Sequence, residues 1–265
     1  MSGRAASKMR ILVGASSFAD AATALHIAGR VAQDTVTSLG GLLVDDEDTR
    51  VACAIPNQRI ISASGAVLMT PSQAQIHTLM NAEARAFRQL LQKIADPPAL
   101  EWSFDRQMGD LISTAMRAAS GWDALIFGYR SSHPFIGKVV VFAPPVKDAG
   151  GLLSLSQRLA QQLRTDLVAF NVGAAVPPPS GHDRPFDLAF ETPEQAIAAL
   201  DKINAQVVLI DLSRSPIRSP EQLRNLVRAS RCPVVVLGAS SFAPTVEHTV
   251  HFPPEPGSKE APSAS

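Results

Sequence analysis

The stretch RASRCPVVVLGAS, residues 228–240, indicates the fold of the chain. It is preceded by Leu226 and Val227, so it begins as the last turn of an amphipathic helix and continues, after a proline, as a run of β-branched residues. A helix that leads directly into a fully apolar strand is typical of a parallel sheet that is buried on both faces. The stretch therefore predicts an α/β fold, in which ligands usually bind at turns that follow the strands.

Composition limits the class of protein. The chain has 265 residues, 46% hydrophobic and only 5% aromatic, so aliphatic side chains must build its interior. Lysine plus arginine and aspartate plus glutamate number 24 each, and this balance argues against a nucleic-acid partner. Asp20 cuts the first apolar run short of a membrane span. We therefore expect a cytoplasmic protein with reduced thiols at Cys53 and Cys232, although a disulfide is possible on count alone.

A strand–helix–strand unit occurs twice, and the second copy starts 128 residues after the first without a gap. The two copies cover residues 10–44 and 138–172. Identical residues at equivalent positions are Arg30/Arg158, Ala32/Ala160, Gln33/Gln161, Thr37/Thr165, Leu39/Leu167 and Val44/Val172. The repeat predicts two tandem, doubly wound parallel-sheet domains of Rossmann type.

We place the first domain at residues 1–137 and the second, shortened domain at 138–241. Residues 242–265 are rich in proline and serine and should form a flexible tail. The first domain lacks a closing helix and strand, so its sheet has an open edge, which we expect the strand at 232–238 to cover. The second domain is predicted to lack the third strand of the first and to replace it with a loop at 173–185.

Three later helices begin with the same signal, a serine or threonine before a proline, with glutamine two residues further on. Thr70, Thr192 and Ser219 are the predicted N-caps of these helices. The first of them opens a long amphipathic helix whose apolar stripe is interrupted by Glu83, so its burial should be incomplete in the middle.

The order of these segments resembles the universal stress protein family. The segments that carry the resemblance are RILVGASSFADAATAL (10–25), GDLISTAMRAASGWDALIFGYR (109–130) and LRNLVRASRCPVVVLG (223–238). They match, in turn, the opening of the family's domain, its fourth strand with the preceding helix, and its ending. The resemblance covers most of the chain as far as residue 240 and implies a tandem member of that family.

The resemblance also implies where a nucleotide would bind, and there the chain departs from the pattern. ATP-binding members carry an aspartate after the first strand, and Ser16 and Pro144 stand at that position in the two halves. Those members also carry a glycine-rich loop after the fourth strand. Gly128 matches the first glycine of this loop, but Ser131 stands at the second and Asp211 replaces the first in the other half. We therefore expect the usual ATP binding to be absent.

A different ligand site remains possible at the mouth of the first sheet. The candidate residues follow the first, second and fourth strands and are Gly14, Ser16, Ser17, Val44, Gly128, Arg130, Ser131 and Ser132. The alternative interpretation is that Ser16 and Ser17 cap a helix and that Arg130 is a solvated loop charge. In the second half, Asp211, Ser213, Arg214 and Ser215 are most simply a polar turn.

The sequence gives little support for catalysis. It contains no GxSxG, HExxH or P-loop motif. A pairing of Ser16 with His133 is conceivable from the topology alone, and Cys232 is expected to be buried packing. No metal site is expected.

Three functions stay open in order of preference. The first is a stress-related interaction scaffold without a resident cofactor. It acts through a protein partner, through homo-oligomer contacts, or through a pseudo-dimer, which is the pairing of the two halves within one chain. Neither a nucleic acid nor a membrane is expected as a partner. The second is a regulator that binds ATP or AMP in an altered pocket of the first domain. The third is an enzyme related to adenine-nucleotide hydrolases.

Overall fold

A computed structural model describes residues 9–31, 36–45, 59–61, 67–69, 72–95, 100–129, 137–143, 150–173 and 186–241. The strands in this part of the chain are β1 Met9–Ala15, β2 Val36–Asp45, β3 Arg59–Ile61, β4 Val67–Met69, β5 Glu101–Met108, β6 Ala124–Phe127, β7 Lys138–Ala143, β8 Leu167–Val172, β9 Phe186–Phe190, β10 Ala205–Asp211 and β11 Val234–Leu237. The helices are α1 Phe18–Val31, α2 Gln73–Ala95, α3 Leu111–Ala118, α4 Gly150–Leu163, α5 Pro193–Leu200 and α6 Pro220–Ser230.

Nine of these strands form one sheet in the order β5-β2-β1-β6-β11-β10-β7-β8-β9, and β3 and β4 form a separate antiparallel pair. Within the nine, β5, β2, β1 and β6 are mutually parallel, as are β11, β10, β7, β8 and β9. The two parallel blocks meet at β6 and β11, which are antiparallel. The α/β class and the mostly parallel sheet predicted from the sequence are confirmed.

Strand β11 belongs to both blocks. It pairs in parallel with β10 and in antiparallel with β6, with Val235 opposite Ile126. All four residues of β6 are buried. The open edge of the first block is therefore covered by the last strand of the second, as the sequence predicted.

Helices cover both faces of the sheet. Helices α1, α2 and α4 pack on the face that carries Ile11 and Val13, whereas α3, α5 and α6 pack on the face that carries Leu12. The alternation along β1 places successive side chains on opposite faces, and both faces are apolar because both are covered. No helix in the described ranges is long and apolar enough to cross a membrane.

The helix starts agree with the sequence in two of three cases. Thr192 and Ser219 cap α5 and α6 as predicted, and Ser219 completes a capping box with Gln222. The predicted start of the long helix at Thr70 is wrong, because α2 begins at Gln73. Ser72 is the capping residue there: its hydroxyl accepts from the Gln75 amide at 3.3 Å and its own amide donates to the Gln75 side chain at 2.8 Å. Thr70 itself lies outside the described residues.

The prediction that the second half lacks a third strand is also wrong. Residues Phe186–Phe190 form β9, which pairs in parallel with β8 and places Phe190 4.8 Å from Phe170 between ring centroids. This strand has only five residues, so its alternation of apolar and polar side chains is too short to distinguish it from a loop in the sequence. Residues 174–185 of the predicted loop and 242–265 of the predicted tail lie outside the described residues. The division into two domains at residue 137 stays a prediction. One continuous sheet contains strands from both halves and so does not test where one domain ends.

We predict that residues 1–137 expressed alone do not give a cooperatively folded, soluble monomer. Without β11, the buried strand β6 becomes a fully apolar sheet edge and associates with other copies. Size-exclusion chromatography and urea unfolding of this fragment check the prediction. A monomeric fragment with a single sharp transition would contradict it.

Candidate functional site

A crevice lies at the carboxyl ends of β1 and β6, which are adjacent parallel strands. Its volume is about 470 Å³, and the residues that line it are Ser16, Asp20, Gly109, Asp110, Leu111, Ile112, Gly128, Tyr129, Arg224, Val227 and Arg228. These residues come from the starts of α1 and α3, from the segment after β6, and from α6. A crevice outside the carboxyl ends of parallel strands is the usual ligand position of such folds.

The first wall of the crevice is the start of α1. Ser17 precedes this helix, and its hydroxyl accepts from the Asp20 amide at 3.1 Å and donates to the Asp20 carboxylate at 2.6 Å. Ser17 therefore caps the helix and orients Asp20, whose side chain lies at the crevice. Ser16 is exposed at the mouth.

Gly128 holds the segment after β6 against α1. A Cβ atom added at Gly128 would lie 2.7 Å from the carbonyl oxygen of Asp20, so only glycine allows this approach. The Gly128 amide donates to the Gly14 carbonyl at 2.7 Å, and the Thr23 hydroxyl lies 2.7 Å from the Tyr129 carbonyl oxygen. The glycine that matches the family's loop is thus used to pack one part of the chain against another.

The second wall is the start of α3, held by Asp110. This residue is the N-cap of α3, and its carboxylate accepts from the Ser113 amide at 2.9 Å. It also accepts from the Arg224 guanidinium at 2.8 Å, which ties α3 to α6. Burial raises the pKa of Asp110, but these hydrogen bonds and the positive charge of Arg224 outweigh it and lower the pKa to about 2.

Helix α6 supplies the positive charges of the crevice. Arg224 and Arg228 are four residues apart, on one side of the helix, and both line the crevice. Asp20 and Asp110 face them, so the formal charges of these four side chains cancel. This mixture of charges with partly solvated polar groups suits a ligand or partner surface that itself carries both signs.

A further group of carboxylates lies beside the crevice, with Asp45 at the end of β2 and Glu83 in the middle of α2. The Glu83 carboxylate accepts from the backbone amide of Phe18 at the start of α1, and burial together with the charges of Asp20 and Asp45 raises its pKa. Asp45 is paired with Arg106 at 2.6 Å. The interruption of the α2 stripe by Glu83 is thereby explained: the residue is partly buried because it reaches the N-terminus of a neighbouring helix.

The structure places the predicted site residues in different environments. Ser16, together with Gly128, lines the crevice, and Ser17 lies beside it as a helix cap. Gly14 is buried under α3, where an added Cβ would lie 3.1 Å from Cβ of Ala115. Val44 is completely buried in the core and does not line the crevice. Arg130, Ser131, Ser132 and His133 lie outside the described residues.

Sequence reasoning missed four charged residues of the crevice, which are Asp20, Asp110, Arg224 and Arg228. Asp110 carried a usable signal, since an aspartate before an apolar helical run is a typical N-cap. The two arginines carried none, because their position depends on the antiparallel pairing of β6 with β11 and not on any local pattern.

The corresponding turn of the second block is a self-contained polar turn. The Asp211 carboxylate accepts from the amide of Ser213 at 3.0 Å and from its hydroxyl at 2.6 Å. Gly238, at a φ of 67°, approaches this carboxylate so closely that an added Cβ would lie 2.8 Å from it. The Ser215 hydroxyl accepts from the Ile217 amide. These contacts agree with the interpretation of this segment as a turn.

The nucleophilic and metal-ligating side chains of the described residues are distributed as follows. No histidine or cysteine is among the lining residues of the crevice within the described ranges. Cys232 is buried, without a disulfide, and burial raises the pKa of its thiol to about 12, which makes it an inert packing residue. The described residues also contain no group of three histidine, cysteine, aspartate or glutamate side chains that could hold a metal ion.

Comparison with known proteins gives similarity at the level of fold. No protein-family model matches the chain, and no curated protein matches it. Among solved structures, a universal stress protein from Archaeoglobus fulgidus DSM 4304 is 12% identical with a TM-score of 0.46, over 87% of this chain and 96% of that one. A functionally unknown protein from Pseudomonas aeruginosa PAO1 is 10% identical with a TM-score of 0.43, over 89% and 94% of the two chains. At these values the similarity is limited to the arrangement of strands and helices.

Replacing Gly128 with alanine should destabilise the protein by roughly 1–3 kcal/mol, because the new methyl group forces the start of α1 away from the segment after β6. Gly29→Ala is the control, since nothing lies within 4 Å of a Cβ at that helical position. This control should gain roughly 0.5–1 kcal/mol. Urea unfolding of both variants gives the measurement, and equal stabilities would contradict the packing described for Gly128.

Replacing Asp110 with asparagine keeps a good helix cap but removes the charge that pairs with Arg224. Because the ion pair is half-exposed, the loss at neutral pH should be below about 1 kcal/mol. Folding lowers the pKa of Asp110 from 3.8 to about 2, so its stabilisation is complete above pH 3.8 and is lost as the pH falls toward 2. The difference in unfolding free energy between wild type and variant should shrink over that interval. A difference that does not change with pH would contradict the assignment.

Proposed function

We propose that this chain is a non-catalytic binding protein, a stress-related interaction scaffold that does not bind Mg-ATP in the manner of universal stress proteins. The observation that carries the proposal is the environment of Gly128. The space beside this glycine is filled by the backbone of α1, and its amide is bonded to the Gly14 carbonyl. A phosphate would need both that space and that amide.

The residue that would hold the adenosine is also changed. Ser16 stands where the resemblance implies an aspartate, and a hydroxyl offers a neutral, weaker partner than a carboxylate. Asp20, one helical turn later, lines the crevice, but its carboxylate accepts from Ser17 and lies at the start of α1. Asp20 therefore supports the helix and would repel an incoming triphosphate.

The proposed partner is another protein. The crevice is lined by two positive side chains, Arg224 and Arg228 on α6, and by two negative ones, Asp110 and Asp20. Such a mixture of charges orients a protein surface of complementary pattern and disfavours a ligand of single strong charge. Homo-oligomer contacts are the alternative kind of partner. The pseudo-dimer contact is the pairing of the two halves within one chain, which involves β6 and β11.

A nucleotide-responsive regulator is the second candidate, and one observation favours it. The crevice has a volume of about 470 Å³, within the range of small-molecule sites, and contains two arginines beside the first turn of α3. In this version Arg224 and Arg228 would replace the glycine loop as the phosphate-binding groups. AMP fits this arrangement better than ATP, because fewer phosphate charges would meet Asp20 and Asp110.

The experiment that separates the two candidates is thermal melting with and without millimolar Mg-ATP or AMP. A ligand at about a thousand times its dissociation constant stabilises the native state by about 4 kcal/mol. For a chain of this size such a stabilisation raises the melting temperature by several degrees. The scaffold proposal predicts no shift with either nucleotide, and native mass spectrometry of the purified protein should show no retained nucleotide.

Variants of α6 make the opposite result interpretable. A shift of several degrees that is lost in Arg224→Gln and Arg228→Gln would establish the regulator in place of the scaffold. Arg231→Gln is the matched control, because Arg231 follows the same helix but pairs with Asp201 at 2.8 Å, outside the crevice.

A further inference from the structure

Both tryptophans of the chain line one cavity at the amino ends of β2 and β5, the opposite end of these strands from the crevice. Its volume is about 440 Å³, within the range of roughly 300–1,000 Å³ found for small-molecule sites. Aromatics make up only 5% of this chain, so an aromatic wall at a cavity is uncommon in it.

The floor of the cavity is formed by one face of β2 and β5, where three of four residues are serine or glycine. Ser38 lies opposite Glu101, and Gly40 lies opposite Ser103, so these four share one face of the sheet. A Cβ atom at Gly40 would lie 2.6 Å from the benzo ring of Trp122. The glycine therefore lets this half-buried indole lie directly against β2 and form a wall above a hydroxyl-lined floor.

The hydrogen-bonding groups around this floor include both donors and acceptors. Glu101 provides a carboxylate that accepts from the Ser38 hydroxyl at 3.3 Å, and Ser103 and Ser120 provide further hydroxyls. Arg10 provides a guanidinium, which is 3.5 Å from the Asp123 carboxylate. The negative balance of Glu101 and Asp123 against Arg10 disfavours an anion, and the guanidinium at the cavity disfavours a cation.

We propose that this cavity binds a neutral sugar, with the Trp122 indole against the apolar C–H face of a pyranose ring and with Glu101, Ser103 and Arg10 bonded to its hydroxyls. A pyranose has an apolar face that gains dispersion and hydrophobic contact on an aromatic wall. Each of its hydroxyls donates and accepts, which matches a rim of carboxylate, hydroxyl and guanidinium groups. This site is independent of the function proposed for the crevice.

The second tryptophan is engaged elsewhere. The guanidinium carbon of Arg88, on α2, lies 5.8 Å from the centroid of the Trp102 ring. Trp102 also packs against the apolar cluster on the α2 side of the sheet, so Trp122 is the indole that contacts the sugar. A Trp102→Phe variant leaves Trp122 as the single fluorescent indole and reports directly on the cavity.

The experiment is a fluorescence titration of the full-length Trp102→Phe protein with maltose, cellobiose and trehalose, which present the same hexose ring in different linkages. We expect a saturable change in emission with a millimolar dissociation constant for at least one of them. Choline chloride at the same concentration is the cation probe. No response to any of the three sugars, or a response to choline alone, would overturn the proposal.

Variants of the floor and rim show whether the sugar binds in this cavity and not at another place on the protein, and they keep Trp122 as the fluorescent reporter. In the Trp102→Phe background, Ser103→Val removes a hydroxyl and fills the floor, so sugar binding should be lost while the circular dichroism spectrum is unchanged. Glu101→Ala should weaken binding about tenfold, the loss expected for one charge-assisted hydrogen bond. Gln107→Val is the matched control, since Gln107 lies on the same face of β5 outside the cavity and its variant should bind as before. Binding retained in Ser103→Val would overturn the proposal.

Discussion

The antiparallel hydrogen bonding of β6 with β11 determines the rest of this structure. Four residues of one parallel block, Ala124–Phe127, pair with four of the other, Val234–Leu237, and every residue of β6 is buried. Without this pairing the first block would end in an apolar edge with unpaired backbone groups, which folded proteins avoid. Because the pairing is antiparallel, the carboxyl ends of the two blocks lie at opposite edges of the sheet. The crevice of about 470 Å³ lies at the carboxyl ends of the first block, and the cavity of about 440 Å³ lies at the opposite ends of those strands.

The same pairing determines the chemistry of the crevice. It directs the start of β11 to the end of β6, and the preceding helix α6 is therefore held above the carboxyl end of the first block. Arg224 then meets Asp110 at the start of α3, and an ion pair of 2.8 Å joins the two halves at the site itself. Gly128 also holds the segment after β6 against α1 at this site, since a Cβ atom there would lie 2.7 Å from the Asp20 carbonyl oxygen. Contacts between segments that are distant in the sequence therefore stabilise this crevice.

Local patterns in the sequence predicted most of the architecture, and tertiary pairing accounts for what they missed. Helical and strand periodicity gave the α/β class, and the caps at Thr192 and Ser219 lie where the proline signal placed them. The strand at Phe186–Phe190 escaped because five residues carry little periodicity, and the start of α2 was misplaced because Ser72 supplied an equivalent hydroxyl two residues later. In the site, Ser16, Ser17 and Gly128 were found because they follow strands directly. Arg224 and Arg228 were not found, since residues more than 90 positions away reach the crevice only through sheet topology.

Amide hydrogen exchange of the full chain tests the shared strand most directly. If β11 joins the two blocks, the amides of Leu125–Phe127 and of Val234–Val236 should exchange slowly and with the same free energy of opening, because the strands separate in one cooperative event. Exchange from β6 at the low opening free energy of a frayed edge strand, with β11 still protected through β10, would contradict the central role of this pairing.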